Sequence, residues 1–278
     1  MSRIRFVLTV VLAVAAAALA FAAVTPPAQP VSPGTNAWCR ASNHGGDREA
    51  YSEVREFVVP ASSATITVDA APNGGIKVEG QARQDVQVQA CVSATASTEA
   101  EARALAQRVE VTATSDRVSS AGPDGLGRRE GWHVSYRLSV PHQTSLSLRS
   151  TNGGIAIANV EGQIDFRTVN GGVSLARIGG DVRGRTTNGG VDIELDGPTW
   201  NGGGLEVQTQ NGGVKLTLPA NYSAQLETGT VNGRLNVDFP VTVQGRIGRE
   251  IQTQLGSGGP LIKVRTSNGG VSVRHGKW

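Results

Sequence analysis

Several residue types are scarce in this chain, and each scarcity narrows the class of protein. Only 4% of the 278 residues are aromatic, one is Met, four are His and two are Cys. Two cysteines and four scattered histidines do not make a zinc site, which takes four clustered ligands. After residue 24 no apolar stretch is long enough to cross a bilayer. We therefore expect no metal site, and a mature chain that is soluble.

An excess of positive charge is also missing once the N-terminus is set aside. The chain has 26 basic and 23 acidic residues, and a pI of about 9.1. Arg3 and Arg5 lie in a segment that we expect to be removed. The remaining chain then has 24 basic and 23 acidic residues. A balanced chain has no net attraction to polyanions. This balance argues against a nucleic-acid partner.

The N-terminus has the pattern of a secretory signal. Basic residues precede an apolar run, Phe6–Val24, and Ala20 with Ala22 supplies a small-residue cleavage site. We predict a signal peptide over residues 1–22 and a Pro-rich linker over 23–36, which places the protein in the periplasm or at the cell surface. The alternative is an uncleaved segment that serves as a membrane anchor.

The two cysteines are both in the exported part. In an oxidising compartment Cys39 and Cys91 are expected to pair and to clip the N-terminal segment to a later strand. The competing interpretation is a pair of buried thiols.

An internal repeat dominates the remaining sequence. The motif Asn-Gly-Gly recurs, and the first three copies in the main series are 18 residues apart. Apolar residues alternate with polar ones on both sides of each copy, which is typical of half-buried strands. The Asn residues of the main series are Asn152, Asn170, Asn188, Asn211 and Asn268, with an earlier copy at Asn73 and an Asn-Gly-Arg variant at Asn232.

Two all-β architectures fit this pattern. The first is a parallel β-solenoid with coils of about 18–21 residues, in which equivalent residues stack on one another. The second is an antiparallel meander with a hairpin at each Asn-Gly. Constant spacing favours the solenoid, because stacking requires equal coils. In it the Asn side chains form a ladder, the Gly after each Asn takes a positive φ, and a terminal copy such as Asn268 contributes less than a central one.

The segment before the main series has a different pattern. Residues 37–145 contain several strand-like runs and one helix, which begins with a capping box formed by Thr98 and Glu101. We expect this region to cap the solenoid of residues 146–278.

Signs of catalysis are weak. The Gly-rich turns lead into strands rather than helices, so they do not resemble phosphate-binding loops, and no cofactor is expected. Asp192, Glu194 and Asp196 share one strand face and are the best candidates for a carbohydrate-active enzyme, lyase or hydrolase. A solvated acidic face is the favoured interpretation, so we predict no enzyme. Trp200, in the insertion 197–204, is a candidate for stacking on a sugar ring. The favoured alternative is that it folds back over the coil that the insertion interrupts.

The motifs resemble a family of exported bacterial β-strand-repeat proteins known as putative adhesins. The resemblance rests on the strand Glu56–Pro60, the segment Asn73–Gly80 and the serial Thr-x-Asn-Gly-Gly-Val motif from Thr151 onward, and it covers roughly residues 54–278. It implies a single-stranded β-helix similar to adhesin heads, outside the cytoplasm, without catalytic residues. The partner it implies is a surface, a glycan or another protein. An envelope-associated signalling or stress protein is the other non-catalytic alternative.

Overall fold

The fold consists of two sheets packed face to face. The computed structural model describes residues 38–40, 48–238 and 249–276, so the predicted signal peptide and linker lie outside the described residues. Within those residues the chain forms two ten-stranded sheets and one short helix. The N-terminal elements are β1 (Glu49–Pro60), β2 (Ile66–Asp69), β3 (Ile76–Gln81), β4 (Asp85–Ala96), α1 (Glu99–Gln107), β5 (Glu110–Ala113), β6 (Arg117–Ala121) and β7 (Gly131–Pro141). The repeat strands are β8 (Leu146–Arg149), β9 (Ile155–Ala158), β10 (Glu161–Asn170), β11 (Val173–Ala176), β12 (Gly179–Asn188), β13 (Val191–Glu194), β14 (Gly204–Asn211), β15 (Val214–Leu218), β16 (Ala224–Asn232), β17 (Leu235–Val237), β18 (Glu250–Leu255), β19 (Leu261–Asn268) and β20 (Val271–His275).

The alternating sequence pattern decides which side of each strand is buried. In β11, for example, Val173 and Leu175 are buried between the sheets while Ser174 points to solvent. Successive side chains of a strand point to opposite faces, so the apolar residues of the repeat strands lie mostly on the inner face. The apolar residues of both sheets therefore form one continuous core.

Parallel pairing distinguishes the two predicted architectures. The strands on either side of Asn170, β10 and β11, belong to different sheets. β10 pairs in parallel with β8 and β12, and β11 with β9 and β13. Ile164 lies beside Val182, 18 residues later. The prediction of a parallel β-repeat fold is confirmed, and the antiparallel meander is wrong for these strands.

The early Asn-Gly-Gly copy belongs to the same stack. β2 and β3 flank it and pair in parallel with β8 and β9. β1, β4 and β7 then extend the β3 edge as an antiparallel segment. α1 begins with the predicted capping box, in which Thr98 and Glu101 each accept a hydrogen bond from the other's backbone N–H.

The last coil in the sequence is not the last in space. β19 pairs in parallel with β14 on one side and β16 on the other, so Thr266 lies between Thr209 and Thr230. β18 then covers the far side of β16 in antiparallel pairing. The expectation that Asn268 is a terminal copy is therefore wrong, because the C-terminal coil is inserted between two earlier ones.

The predicted disulfide is confirmed. Cys39 is bonded to Cys91 of β4, and their Cα atoms are 5.5 Å apart. The bond holds residues 38–40 against the outside of the antiparallel segment, where the guanidinium of Arg137 lies 4.3 Å from the ring centroid of Trp38. Among the described residues there is no helix of the length and apolarity that a membrane crossing requires.

Candidate binding groove above the repeat turns

The Thr-x-Asn-Gly-Gly motif places four kinds of residue in four columns along the stack. The first column is buried and consists of hydroxyl side chains, each of which donates to the carbonyl of the first glycine in the adjacent coil. The reach is possible because equivalent residues of parallel strands lie side by side. The bonds are Ser150 to Gly74 (2.7 Å), Thr168 to Gly153 (2.8 Å), Thr186 to Gly171 (2.9 Å), Thr209 to Gly189 (2.8 Å), Thr266 to Gly212 (2.8 Å) and Thr230 to Gly269 (2.8 Å).

The second column is an uninterrupted ladder of Asn amides. Each Nδ2 donates to the Oδ1 of the Asn in the adjacent coil, so the side chains bond to one another along the stack. In spatial order the ladder runs Asn73, Asn152, Asn170, Asn188, Asn211, Asn268, Asn232, with donor–acceptor distances of 2.7 to 2.9 Å.

The first glycine of each turn is required by close backbone approach. A Cβ on Gly171 would lie 2.1 Å from the carbonyl oxygen of Gly153, and one on Gly189 would lie 2.0 Å from that of Gly171. Neither glycine has a φ in the left-handed region, so the predicted positive φ is wrong here. The glycine is needed because the adjacent coil occupies the place of a side chain.

In two central coils the second glycine has no such requirement, whereas a Cβ on Gly154 would lie 3.1 Å from the carbonyl oxygen of Gly172. A Cβ on Gly172 or Gly190 would lie 3.5 or 3.6 Å from its nearest neighbour, which is ordinary van der Waals contact, and neither φ is left-handed. Both glycines are exposed. Other small residues are therefore compatible with the fold at these positions, and the glycines leave the backbone uncovered.

The N–H groups of these second glycines are also open. Within the described residues the N–H of Gly154, Gly172 or Gly190 donates to no protein acceptor. The N–H of Gly75 is the exception, because the hydroxyl of Ser135 accepts from it at 3.1 Å. Ser135 of β7 lies beside Gly75, which precedes β3, in the same register in which Gly75 lies beside Gly154, which precedes β9. A serine in place of Gly75 would therefore be positioned to accept a hydrogen bond from the N–H of Gly154. Glycine leaves that N–H without an acceptor.

These glycines form the floor of a groove of about 820 Å³ on the outer face of the sheet that contains β3, β9, β11, β13 and β15. Small side chains, Ala156 and Ser174, line its middle. Trp38 and Arg137 stand at one end, where partial burial lowers the pKa of the Arg137 guanidinium from its usual value. The shape suits an elongated ligand that lies along the stack.

The acidic residues that suggested catalysis are next to cations. Asp192 accepts from Lys215 at 3.1 Å, and Glu194 lies 3.9 Å from Arg177. Ser174 and Ala176 are their neighbours in the preceding coil, so the structure brings no second carboxylate beside them there. No group of three or more His, Cys, Asp or Glu side chains suited to a metal occurs in the part of the chain that is described.

Trp200 does not form a sugar platform. The side chain is only 3% exposed, and its Nε1 donates to the carbonyl oxygen of Gly180 at 2.9 Å. The insertion folds back over the adjacent coil, because the indole ring is stabilised by burial and its N–H by a partner. Trp200 is therefore not available as a stacking residue, and it lies as the favoured interpretation expected, folded back over a coil.

The fold and the groove together define an all-β parallel-repeat protein with an open groove on the outer face of one sheet. Residues 135–274 match the Toastrack DUF4097 family, which is half of the chain, so the protein belongs to this family. No curated protein matches the chain.

Solved structures of low sequence identity share parts of the arrangement. A putative cell adhesion protein from Clostridium sporogenes is 11% identical, with a TM-score of 0.47, over 82% of this chain and 100% of its own. A putative adhesin from Bacteroides fragilis is 12% identical, with a TM-score of 0.38, over 81% and 97%. A putative lipid binding protein from Parabacteroides distasonis is 9% identical, with a TM-score of 0.32, over 81% and 97%. These values carry no information about a ligand of this chain.

Proposed function

We propose that this protein is an exported, non-catalytic surface-binding module, adhesin-like in its role, whose ligand lies in the groove floored by the second glycines. In this proposal each coil of about 18–21 residues has two separate tasks. The Thr, the Asn and the first Gly of the motif hold the coils together, and the second Gly keeps the groove open.

One observation carries the proposal. The repeated turn contains one glycine that the fold requires and one that it does not: a Cβ would lie 2.1 Å from backbone at Gly171 but 3.5 Å away at Gly172. The second glycine instead leaves an N–H without a protein acceptor in an exposed groove. Backbone donors of this kind can orient a ligand oxygen.

Export and the absence of catalysis rest on separate arguments. A disulfide between Cys39 and Cys91 persists in oxidising compartments and is rare in the cytosol. The candidate acids Asp192 and Glu194 each form an ion pair with a cation. Their neighbours in the preceding coil are Ser174 and Ala176, so no second carboxylate completes an acid and base pair there.

The binding test fills the groove without touching the core. Gly172→Leu with Gly190→Leu would place two side chains on the groove floor, and Gln163→Leu with Gln225→Leu, at exposed positions of the other sheet, is the matched control. Each protein is tested for retention on immobilised glycan panels, purified peptidoglycan and an outer-surface protein fraction. We expect the wild type and the control to be retained by at least one of these materials. The retention of the glycine variant on the same material should be at least tenfold lower. No retention of the wild type, or equal retention of the glycine variant, would overturn the proposal.

Export is tested on the full chain. Cell fractionation followed by N-terminal sequencing should find the protein outside the cytoplasm, beginning near residue 23. A cytoplasmic protein with reduced cysteines would contradict the assignment.

A further inference from the structure

The sheet opposite the groove carries a column of three arginines on its outer face. Arg149, Arg167 and Arg185 occupy equivalent positions in β8, β10 and β12 and lie side by side in register. All three are exposed. Adjacent strands are about 4.8 Å apart, so three guanidinium groups follow one line along the stack.

None of these three side chains has a partner in the described part of the chain: no hydrogen bond or ion pair joins them to another residue. Arg265 lies further along the same column, beyond Gln208, and behaves differently. Its guanidinium contacts Glu227 at 2.6 Å and Glu250 at 3.3 Å. The fold thus gives Arg265 two carboxylates within ion-pair distance and gives the other three arginines none, although Asp69 is the in-register neighbour of Arg149 in β2.

The neighbouring column follows the opposite rule. Two residues earlier in the same strands, the outward side chains alternate in sign along the stack, and Lys263 lies 3.3 Å from Glu227 and 3.7 Å from Glu206. Like charges directly opposite one another destabilise a sheet, and opposite charges stabilise it. In this sheet one column pairs opposite charges, and the next column places like charges side by side. An arrangement that lowers stability in this way is expected where residues serve a function rather than the fold. The alternating column is Asp165, Arg183, Glu206, Lys263, Glu227.

The arginines lie in a narrow lane. On the side towards the Asn turns, the next outward residues are uncharged and include Thr151 and Thr187. On the other side the outward residues are Asp165, Arg183 and Glu206, which alternate in sign, and Asp69 lies next to Arg149 at the end of the row. A depression of about 730 Å³ runs along this lane. The lane is one row of side chains wide, and the acids within its border interrupt the positive charge, so it does not form a broad cationic surface.

We propose that this lane binds an extended acidic polysaccharide, with carboxylates of successive sugar units held by Arg149, Arg167 and Arg185. Guanidinium groups bind carboxylates through two parallel hydrogen bonds, which gives both strength and orientation. Thr151 and Thr187 add hydroxyl groups beside the same path, on either side of Val169.

Two other polyanionic partners fit this face less well. Single-stranded nucleic acid gains much of its affinity from bases stacked on aromatic side chains, and the aromatic ring lining the depression, Phe166, is only 4% exposed. An anionic membrane would bring lipid charge against Asp165 and Glu206 as well as the arginines. A single carboxylate chain avoids both difficulties.

The test uses polygalacturonate as the probe, with neutral dextran, oligo-dT and anionic lipid vesicles as comparisons. Arg149→Gln, Arg167→Gln and Arg185→Gln are combined in one variant of the full chain. The matched control removes the same charge elsewhere, with Arg108→Gln, Arg117→Gln and Arg274→Gln at exposed positions. We expect polygalacturonate to bind wild type and control alike, to bind the triple variant about 100-fold less tightly, and to weaken as salt rises.

The stability of the same variants separates binding from folding. Removing stacked like charges should leave the melting temperature of the lane variant unchanged or raised, while binding is lost. Equal loss in the control, tighter binding of oligo-dT or vesicles, or no binding of polygalacturonate by wild type would overturn the proposal. The groove on the other sheet is not part of this site. The binding of the groove variant Gly172→Leu with Gly190→Leu therefore tests the proposed function separately from the binding of polygalacturonate in the lane.

Discussion

The parallel stack and the antiparallel segment of β1, β4 and β7 are stabilised in different ways. In the stack each residue meets its own equivalent, as Asn170 meets Asn188, so one short motif supplies a ladder along the whole length. In the antiparallel segment most residues meet unlike residues, as Glu49 meets Ala96 and Pro60 meets Asp85, and identical pairs such as Ser52 and Ser93 are isolated. No motif repeats there to extend such a pair into a ladder.

The antiparallel segment uses individual contacts instead. Arg55 pairs with Glu53 at 2.6 Å and also donates to the carbonyl of Ala106 in α1 at 2.9 Å, and the disulfide adds a covalent tie. A repeated motif therefore builds a continuous ladder where strands are parallel and in register, because each residue then lies beside its own equivalent. Three changes test this contrast.

The largest effect is expected from Gly171→Ala in the middle of the stack. The new Cβ would lie 2.1 Å from the carbonyl oxygen of Gly153, and no rotamer can move a Cβ away. We expect the free energy of unfolding, from urea denaturation, to fall by at least about 4 kcal/mol. Gly172→Ala is the control and should change it by less than about 1 kcal/mol. Equal effects at the two glycines would contradict the division of labour within the turn.

Removal of the disulfide should have the next largest effect and should act on the other region. Cys39→Ser with Cys91→Ser is expected to lower the free energy of unfolding by about 2–4 kcal/mol. Hydrogen exchange should rise in β1 and β4 and stay slow in β10 to β15, because the repeat coils are held by their own ladders. The wild type in reductant is the control, and faster exchange throughout the stack would show that the two regions unfold as one.

The smallest effect concerns the Asn ladder. Asn170→Ala and Asn268→Ala each remove an amide with a partner on both sides, and each should cost about 1 kcal/mol. Asn232→Ala removes an amide that bonds on one side only and should cost less. Thermal unfolding of the three variants provides the comparison. If Asn268→Ala resembled Asn232→Ala rather than Asn170→Ala, the inserted position of the last coil would be wrong.

Much of the repeat was predictable because its signals are local. The spacing of 18 residues and the alternation on each side of the turn indicated parallel strands, and both depend on a few neighbouring residues. The alignment of Ser150, Thr168 and Thr186 was also visible in the sequence. The carbonyl that each hydroxyl bonds belongs to another coil, so the role of that column was not visible.

The turns and the insertion show the same physical limit of a local signal. The sequence offers Trp200 both as a sugar-stacking candidate and as a residue folded over its coil, because its direction depends on a carbonyl of Gly180 in another coil. A positive φ is predicted for the glycine after each Asn because glycine adopts it without steric cost. Here the glycine is required by the neighbouring backbone, which only stacking brings near.

By itself the sequence determined that strands of alternating pattern repeat in register, and that Cys39 and Cys91 are the pair available for a disulfide. Both follow from short-range periodicity and residue counts. Only the tertiary structure decided that the coil of Asn268 lies between those of Asn211 and Asn232. It also decided that some arginines of a charge-balanced chain stack without partners. The order of the coils decides which side chains are neighbours on the outer face. Because the coils have nearly equivalent sequences, any two of them could pair in register. No local signal in the sequence therefore distinguishes one order of coils from another.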